Sequence, residues 1–257
     1  MKKQIRKWIL RFIATGLLLV SLLLVIVLNP TLLYANKTIF GNYTVYHNSP
    51  LDNNFKTRLT KATELLERSE IYNTKLKIDI CLNDGSIYPK IIQSLQSPAF
   101  GIGFYNKVVI MGSINWKDNY DELNGYKWNL TQLIVHETIH CLQFNKLGFW
   151  KSNPVAKYPS WKWEGYNEYV ARQNPDQIDL LKNIDRFNLA EQKDKDAWGI
   201  SFADSTFVGK YYYKWWMLMQ FCLDIKKMTY MQVLKDTTQE ETAKQQMMFW
   251  YNGQKKK

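Results

Sequence analysis

The stretch that most constrains the fold of this chain is NLTQLIVHETIHCLQFNKLG, residues 129 to 148. It carries His136, Glu137 and His140 in the order H-E-x-x-H. On an α-helix, with about 3.6 residues per turn, His136 and His140 lie one above the other, so both imidazoles can reach one metal ion. Glu137 lies about 100° around the axis, where it can contact a water on that ion without binding the ion itself.

The residues around this motif predict a helix independently of it. Asn129 is a typical N-cap with Gln132 three positions later, and Gly148 is a typical residue at a helix C-terminus. Apolar residues for core contacts lie between them: Leu133, Ile134, Val135, Ile139, Leu142 and Phe144. The alternative is a buried helix whose histidines are only hydrogen-bonded. In a chain with three histidines, two at this spacing with a glutamate after the first favour metal binding.

A catalytic zinc ion takes three protein ligands and keeps one position for water. No histidine follows His140 in the sequence, so a carboxylate has to be the third ligand. We expect Glu164, on a separate helix predicted to begin at Ser160, to take this role. Glu168, one turn later on the same face, is expected to accept a hydrogen bond from a ligand histidine. Both glutamates could instead be surface groups, but the aromatic residues around them disfavour unpartnered carboxylates.

An apolar segment near the N-terminus predicts a membrane anchor. Residues 12–28 read FIATGLLLVSLLLVIVL and carry no charge. Five basic residues precede this run and no acid occurs before Asp52, so we expect a cytoplasmic N-terminus and an extracytoplasmic domain. The length from Trp8 to Leu28 favours a retained single-pass helix in the cell membrane. The alternative is a signal segment cleaved after Ala35, which would yield a secreted protein.

Charge and cysteine content exclude two other classes of protein. The formal net charge is +11, but residues 2–11 contribute five positive charges and residues 255–257 another three. The remaining basicity is too small and too dispersed to predict nucleic-acid binding. Three widely spaced cysteines, Cys81, Cys141 and Cys222, predict no disulfide framework and are read as small buried hydrophobes.

The patterning of the remaining chain predicts an α+β fold. We expect residues 1–35 to form the basic tip and the anchor or signal segment, and residues 36–257 to form the domain. Residues 29–40, at the junction of the two, are predicted to be a tether. Strands are predicted at 43–48 and 75–84, helices at 51–69 and 88–95 with a break at Ser97 and Pro98, and a hairpin at 99–113. After residue 113 we expect almost only helices, including 160–173, 209–227 and a frayed 239–252. This pattern predicts a small mixed sheet followed by a mostly helical C-terminal half.

Two motifs together resemble a known family. HETIH followed by PSWKWEGYNEY is similar to the gluzincin metallopeptidases, the thermolysin- and aminopeptidase-like group with H-E-x-x-H and a later E-G-x-x-E-Y. The resemblance covers residues 99–170 and implies a zincin-like domain that holds zinc on His136, His140 and Glu164, with Glu137 as the general base. The aminopeptidase motif G-x-M-E-N is absent from the sequence, so exopeptidase activity is not implied.

The same resemblance implies two elements that contact the substrate. An A-F-x-x-G segment followed by a V-x-M-G-like strand implies an edge strand that pairs with an extended peptide, formed by Ala99, Phe100, Gly101 and Ile102. A histidine or tyrosine beyond the third ligand is expected to stabilise the oxyanion, and no histidine is present there. The position relative to Met219 selects Tyr212, while Tyr211 and Tyr213 remain alternatives.

These observations predict a membrane-anchored, extracytoplasmic zinc peptidase that acts on a peptide or protein substrate. Peptide bonds would be hydrolysed through a zinc-bound water, with Glu137 as the general base. Two alternatives stay open. One is a zinc hydrolase of a non-peptide substrate, and the other is a catalytically silent, zinc-stabilised membrane scaffold or binding protein.

Overall fold

The computed structural model describes residues 2–95 and 99–256, so the helix break predicted at residues 97 and 98 lies outside the described residues. The helices are α1 (Lys2–Leu28), α2 (Phe55–Leu66), α3 (Tyr88–Ser94), α4 (Leu130–Leu147), α5 (Ser160–Ala171), α6 (Leu180–Lys193), α7 (Lys210–Gln220), α8 (Tyr230–Lys235) and α9 (Glu240–Gln254). The strands are β1 (Asn36–Phe40), β2 (Tyr43–His47), β3 (Ile78–Cys81), β4 (Gly101–Phe104), β5 (Lys107–Ile110), β6 (Ser113–Asn115), β7 (Tyr120–Leu123), β8 (Tyr126–Asn129), β9 (Gly199–Ser201) and β10 (Phe207–Gly209). The chain is therefore of mixed α and β structure, with an apolar N-terminal helix.

A five-stranded sheet, in the order β1-β2-β3-β5-β4, forms one layer of the domain. Strands β2, β3 and β5 run parallel, and β1 and β4 pair antiparallel at the two edges. The strand predicted at 75–84 is shorter in the structure, but the predicted hairpin at 99–113 is present as β4 and β5. Helix α2 shares a core with this sheet through its apolar face, which consists of Phe55, Leu59, Ala62, Leu65 and Leu66.

The expectation of an almost purely helical chain after residue 113 is wrong. Strands β6, β7 and β8 form a three-stranded antiparallel meander, and β9 pairs with β10. Asn124 and Gly125, both with positive φ, join β7 to β8, which is the residue pair that a two-residue hairpin turn prefers. The strands are short and mostly half-buried, so their apolar alternation is too weak to predict them.

Helix α5 connects the C-terminal helices to α4. Helix α5 packs against both α4 and α7, and α9 packs against α7. The expectation of a frayed 239–252 segment is wrong, because α9 is continuous and buries Ala243 and Met247. Its few apolar positions become ordered through contact with α7, which the segment's own sequence does not indicate.

The segment after α1 is not the loose tether that the sequence predicts. Strand β1 begins at Asn36 and pairs along its length with β2. The Tyr88 hydroxyl donates to the carbonyl of Val27 at 2.6 Å, and the Tyr34 hydroxyl donates to the carbonyl of Leu82 at 2.8 Å. The C-terminal end of α1 is therefore fixed to the domain, whereas residues 4–28 form the one helix among the described residues that is long and apolar enough to span a membrane.

Candidate metal centre

Helix α4 brings the two histidines of the motif together. Asn129 caps the helix by accepting a hydrogen bond from the Gln132 amide at 3.1 Å, and Gly148 ends it with a positive φ of 76°, as predicted. The ring centres of His136 and His140 are 5.2 Å apart. Because α4 is buried up to Gln143 except for the half-buried His140, the imidazoles have little freedom to turn away from each other.

Glu164 extends from α5 to a point between the two imidazoles. Its Oε2 atom lies 3.2 Å from Nε2 of His136 and 3.2 Å from Nε2 of His140. Burial opposes the ionisation of Glu164, but the neighbouring imidazoles outweigh it and hold the pKa of the carboxyl well below its usual range. One carboxylate oxygen and two imidazole nitrogens thus converge on one point.

A buried ion pair orients His136. Its Nδ1 atom lies 2.7 Å from Oε1 of Glu168, and the other Glu168 oxygen accepts a hydrogen bond from Nε of Arg172. Arg172 also donates to the side-chain oxygen of Gln132 at 2.8 Å. Burial opposes the charge on Glu168, but Arg172 and His136 lower the pKa of the carboxyl. With Nδ1 engaged, Nε2 of His136 faces Glu164.

Neutral amides hold His140, and the sequence analysis did not identify them. The Gln143 side-chain oxygen lies 3.1 Å from Nδ1 of His140, and the Asn167 amide nitrogen lies 3.1 Å from Nδ1 and 2.9 Å from Nε2. The Gln143 amide also donates to Asn167 at 3.0 Å and to the Tyr230 hydroxyl at 2.7 Å. Gln143 is three residues after His140, and Asn167 is three residues after Glu164, so their helical spacing was the available signal.

The Glu137 side chain extends from α4 against the edge strand β4. A Cβ atom placed on Gly101 would lie 2.8 Å from Cγ of Glu137, and one placed on Gly103 would overlap the Glu137 carbonyl oxygen. Glycine at these two positions therefore allows β4 to cross directly over α4. Burial raises the pKa of the Glu137 carboxyl, although the imidazoles oppose the shift.

Both Glu137 and Glu164 are close enough to the two histidines to be the third ligand. Ligand atoms of His136, Glu137 and His140 lie within 4.8 Å of one another. Glu164 fits the ligand position better, because a single oxygen of its side chain reaches both Nε2 atoms. Glu137 instead lines the open space beside the centre, which is the position of a base.

The three consecutive tyrosines of α7 have different surroundings. Tyr212 lines the space beside His136, with ring centres 5.8 Å apart. Tyr211 is 69% exposed, and Tyr213 is buried with its hydroxyl 3.3 Å from the carbonyl oxygen of Asn183. Of these three, Tyr212 is the one placed beside the histidines. Burial raises the pKa of its phenol, so the hydroxyl keeps its proton.

Two cavities meet at Glu137. One has a volume of about 320 Å³ and is largely aromatic, with walls that include Phe100, Tyr126, Trp128, Trp198 and Tyr212. The other has a volume of about 1080 Å³ and is lined by β4, by the histidines and Glu164, and by residues 149–155. Together they form a cleft that runs along β4 and past the convergence of Glu164 with the histidines.

The donor set fits a catalytic zinc ion. Two imidazoles and one carboxylate are a known ligand set for zinc enzymes. The third histidine of the chain, His47, lies elsewhere, in β2 with contacts to Thr38 and Ser49.

Comparison of the chain with protein-family models, with curated proteins and with solved structures found no match in any of the three.

Proposed function

We propose that this protein is a membrane-anchored zinc peptidase with a zincin-like domain of the gluzincin type. The observation that carries the proposal is the convergence of Glu164 Oε2 with Nε2 of His136 and His140 at the floor of a cleft that an edge strand borders. These three residues would hold the zinc ion. When bound, zinc polarises the scissile carbonyl and lowers the pKa of a water.

The chain's own groups supply proton transfer. Glu137 would accept the proton of the attacking water and pass it to the leaving amine. Its burial suits this role, because a raised pKa brings a carboxyl closer to the working pH of a general base. The Tyr212 hydroxyl would donate to the carbonyl oxygen as negative charge develops on it.

The edge strand supplies a place for the substrate backbone. Within the described residues, β4 has a partner on only one side, β5, and its other side faces the cleft. An extended peptide can add to such an edge through main-chain hydrogen bonds. The segment from Ala99 to Ile102 would hold the peptide across Glu137, with side chains directed into the two cavities.

The contacts of residues 27–34 support retention of the anchor. The Tyr34 ring lies 5.9 Å from the ring of Tyr46 and 6.0 Å from that of Tyr88, and the Ser86 hydroxyl donates to the carbonyl of Leu33 at 2.7 Å. Cleavage after Ala35 would remove these contacts from the domain. We therefore propose α1 as a single-pass anchor, with the domain on the extracytoplasmic side.

The test is cleavage of a fluorogenic peptide mixture by the full chain in detergent, with and without a chelator. We expect chelation to abolish cleavage and zinc to restore it. Glu137→Gln should retain zinc and lose about 10²- to 10⁴-fold in turnover, since the amide cannot accept a proton. The matched control is Glu241→Gln, which changes an exposed carboxylate on α9 and should leave turnover unchanged.

Two outcomes would contradict the proposal. Cleavage that persists in Glu137→Gln would remove this residue from the chemistry. A folded, zinc-loaded protein that cleaves no peptide would favour the hydrolase of a non-peptide substrate or the silent scaffold.

A further inference from the structure

The larger cavity opens at the end of α1. Its walls include Leu28, the last residue of that helix, together with Leu95, Tyr105, Phe149 and Val155. The same cavity contains His140 and Glu164. If α1 spans a membrane, Leu28 marks the membrane boundary, and the cleft begins beside that boundary.

The mouth of this cavity is apolar and exposed. Leu28 and Leu95 expose 45% and 54% of their surface on one side, and Phe149 and Val155 expose 54% and 41% on the other. Trp150, whose ring centre is 5.1 Å from that of Phe149, is 78% exposed. We take these exposed apolar residues around one opening, with Trp150 beside Phe149, as a surface patch of the kind that marks an interaction site, and tryptophan is enriched where a protein meets the lipid headgroups.

The bilayer is the occupant that the geometry favours. Leu28 of α1 lines the same cavity as Phe149 and Val155, and the hydrogen bond from Tyr88 to Val27 fixes the end of α1 against the domain. The patch therefore stays beside the boundary of the membrane that α1 spans. Lys151 and Lys157, both exposed, lie in the same stretch of chain as Phe149, Trp150 and Val155 and would attract anionic headgroups.

We infer that Phe149, Trp150 and Val155 rest in the outer headgroup layer, and that the substrates are segments of other membrane-bound proteins that emerge beside α1. This inference rests on the proposed peptidase function. A peptide that leaves the bilayer next to Leu28 enters the wide cavity directly and can extend along β4. Scissile bonds should lie close to the membrane boundary, since the cavity that opens beside Leu28 is the one that contains His140 and Glu164.

The first experiment measures membrane contact without using activity. Trp150→Cys in the full chain would carry an environment-sensitive fluorophore, and the protein would be placed in anionic vesicles that contain lipids with a quencher at the headgroup end of the chain. We expect strong quenching at position 150. Phe249→Cys, on α9 and 83% exposed, is the control outside the apolar group at the mouth of the cavity, and we expect no quenching there. The three native cysteines are buried and should not take the label.

The second experiment measures the substrate class. One cleavable sequence would be placed about five or about forty residues beyond a transmembrane helix, spacings that extended chain lengths separate clearly, and also supplied as a soluble peptide. We expect the near site to be cleaved about tenfold faster than the far site. Trp150→Glu should remove this advantage and leave cleavage of the soluble peptide unchanged.

The outcomes separate this inference from the proposed function. No quenching at position 150, or faster cleavage of the far site, would overturn the inference while cleavage of the soluble peptide upholds the peptidase. Disulfide crosslinking between two Trp150→Cys chains would overturn it in favour of a second copy on this surface. Absence of all cleavage would count against the peptidase, while quenching would still support membrane contact.

Discussion

Glu168 beside the candidate metal centre and Asp121 in the meander sheet are both almost completely buried, yet the pKa values of the two carboxyls are shifted in opposite directions. Glu168 has Arg172 and His136 as partners, and these lower the pKa of its carboxyl. Neither oxygen of Asp121 has a hydrogen bond of ordinary geometry to the described residues. Burial raises the pKa of Asp121 to about 7, against a smaller opposing effect of the Gly112 amide.

The comparison teaches that the partner, and not the depth of burial, decides the charge of a buried carboxyl. Arg172 is itself enclosed, with its guanidinium over the rings of Trp128, Phe202 and Trp216. A charge pair in such surroundings is costly to break and holds its neighbours in place. The candidate metal centre therefore has a charged support on one side, whereas the meander sheet carries a carboxyl that is neutral over much of the acidic range.

Glu168→Gln should have the largest effect on this contrast. The change leaves Arg172 buried beside an uncharged group, so we expect a loss of about 3–5 kcal/mol in the free energy of unfolding. Zinc affinity should fall by about 10- to 100-fold, because His136 loses its orienting carboxylate. Denaturant unfolding and competition with a chelator would measure the two quantities.

The matched control for that variant is Glu191→Gln. Glu191 pairs with Lys210 at 2.7 Å but is 43% exposed, so its loss should cost about 1 kcal/mol or less. Equal losses in the two variants would show that the buried pair is no more important than a surface pair.

Asp121→Asn should abolish a loss of stability with rising pH, which Glu168 does not cause. The pKa of Asp121 is about 7 in the folded protein and has its usual lower value in the unfolded chain. The protonated carboxyl therefore contributes to the free energy of unfolding in full below about pH 4, and this contribution is lost as the pH rises through about 7. The largest possible loss is roughly 4 kcal/mol, at 1.36 kcal/mol per pKa unit. Unfolding of the wild type and of the variant from pH 4 to 8 would measure the difference.

Asp118→Asn provides the comparison, because this carboxyl is exposed and lies three residues earlier in the chain. Its stability should follow that of the wild type at every pH. An identical pH profile for Asp121→Asn and the wild type would mean that Asp121 is charged in the folded protein.

Tyr212 extends the comparison to a buried acid that we propose to act in its neutral form. Burial, with Glu164 and Glu137 nearby, raises the pKa of the phenol, so the hydroxyl keeps its proton and can donate it in a hydrogen bond. Tyr212→Phe should lower kcat by about 10²-fold, about 3 kcal/mol, with KM and zinc content nearly unchanged. Tyr211→Phe is the control, and a loss there instead would move the oxyanion role to Tyr211.

Asn167→Ala should have the smallest effect, because a neutral amide and not a charge pair is lost. We expect zinc affinity to fall by about tenfold or less, at the lower end of effects for groups that orient a ligand. The same chelator competition would measure it. A loss as large as that of Glu168→Gln would show that the neutral support of His140 matters as much as the charged support of His136.

The residues of the centre illustrate what could be predicted. His136, Glu137 and His140 follow from a helical repeat and from caps at Asn129 and Gly148, all of which lie within one segment. Glu164, which the structure brings to both imidazoles, was expected there from the number of ligands that a catalytic zinc takes and the absence of a later histidine. Arg172, Gln143 and Asn167 were not predicted, since their roles depend on how α5 packs against α4.

The sequence by itself determined the elements whose signals are local. Periodicity and capping within about one to two dozen residues specify α2, α4 and α5, because a helix is stabilised by contacts three and four residues apart. The meander also carried a local signal, the Asn124–Gly125 pair, but its short strands have too few alternating residues to support it. Only the tertiary structure decided that β4 crosses over Glu137, that residues 27–34 bind the domain, and that Leu28 lies at the mouth of the cleft. These features join segments far apart in the chain, and their stability comes from burial and hydrogen bonds that form only when the fold brings those segments together.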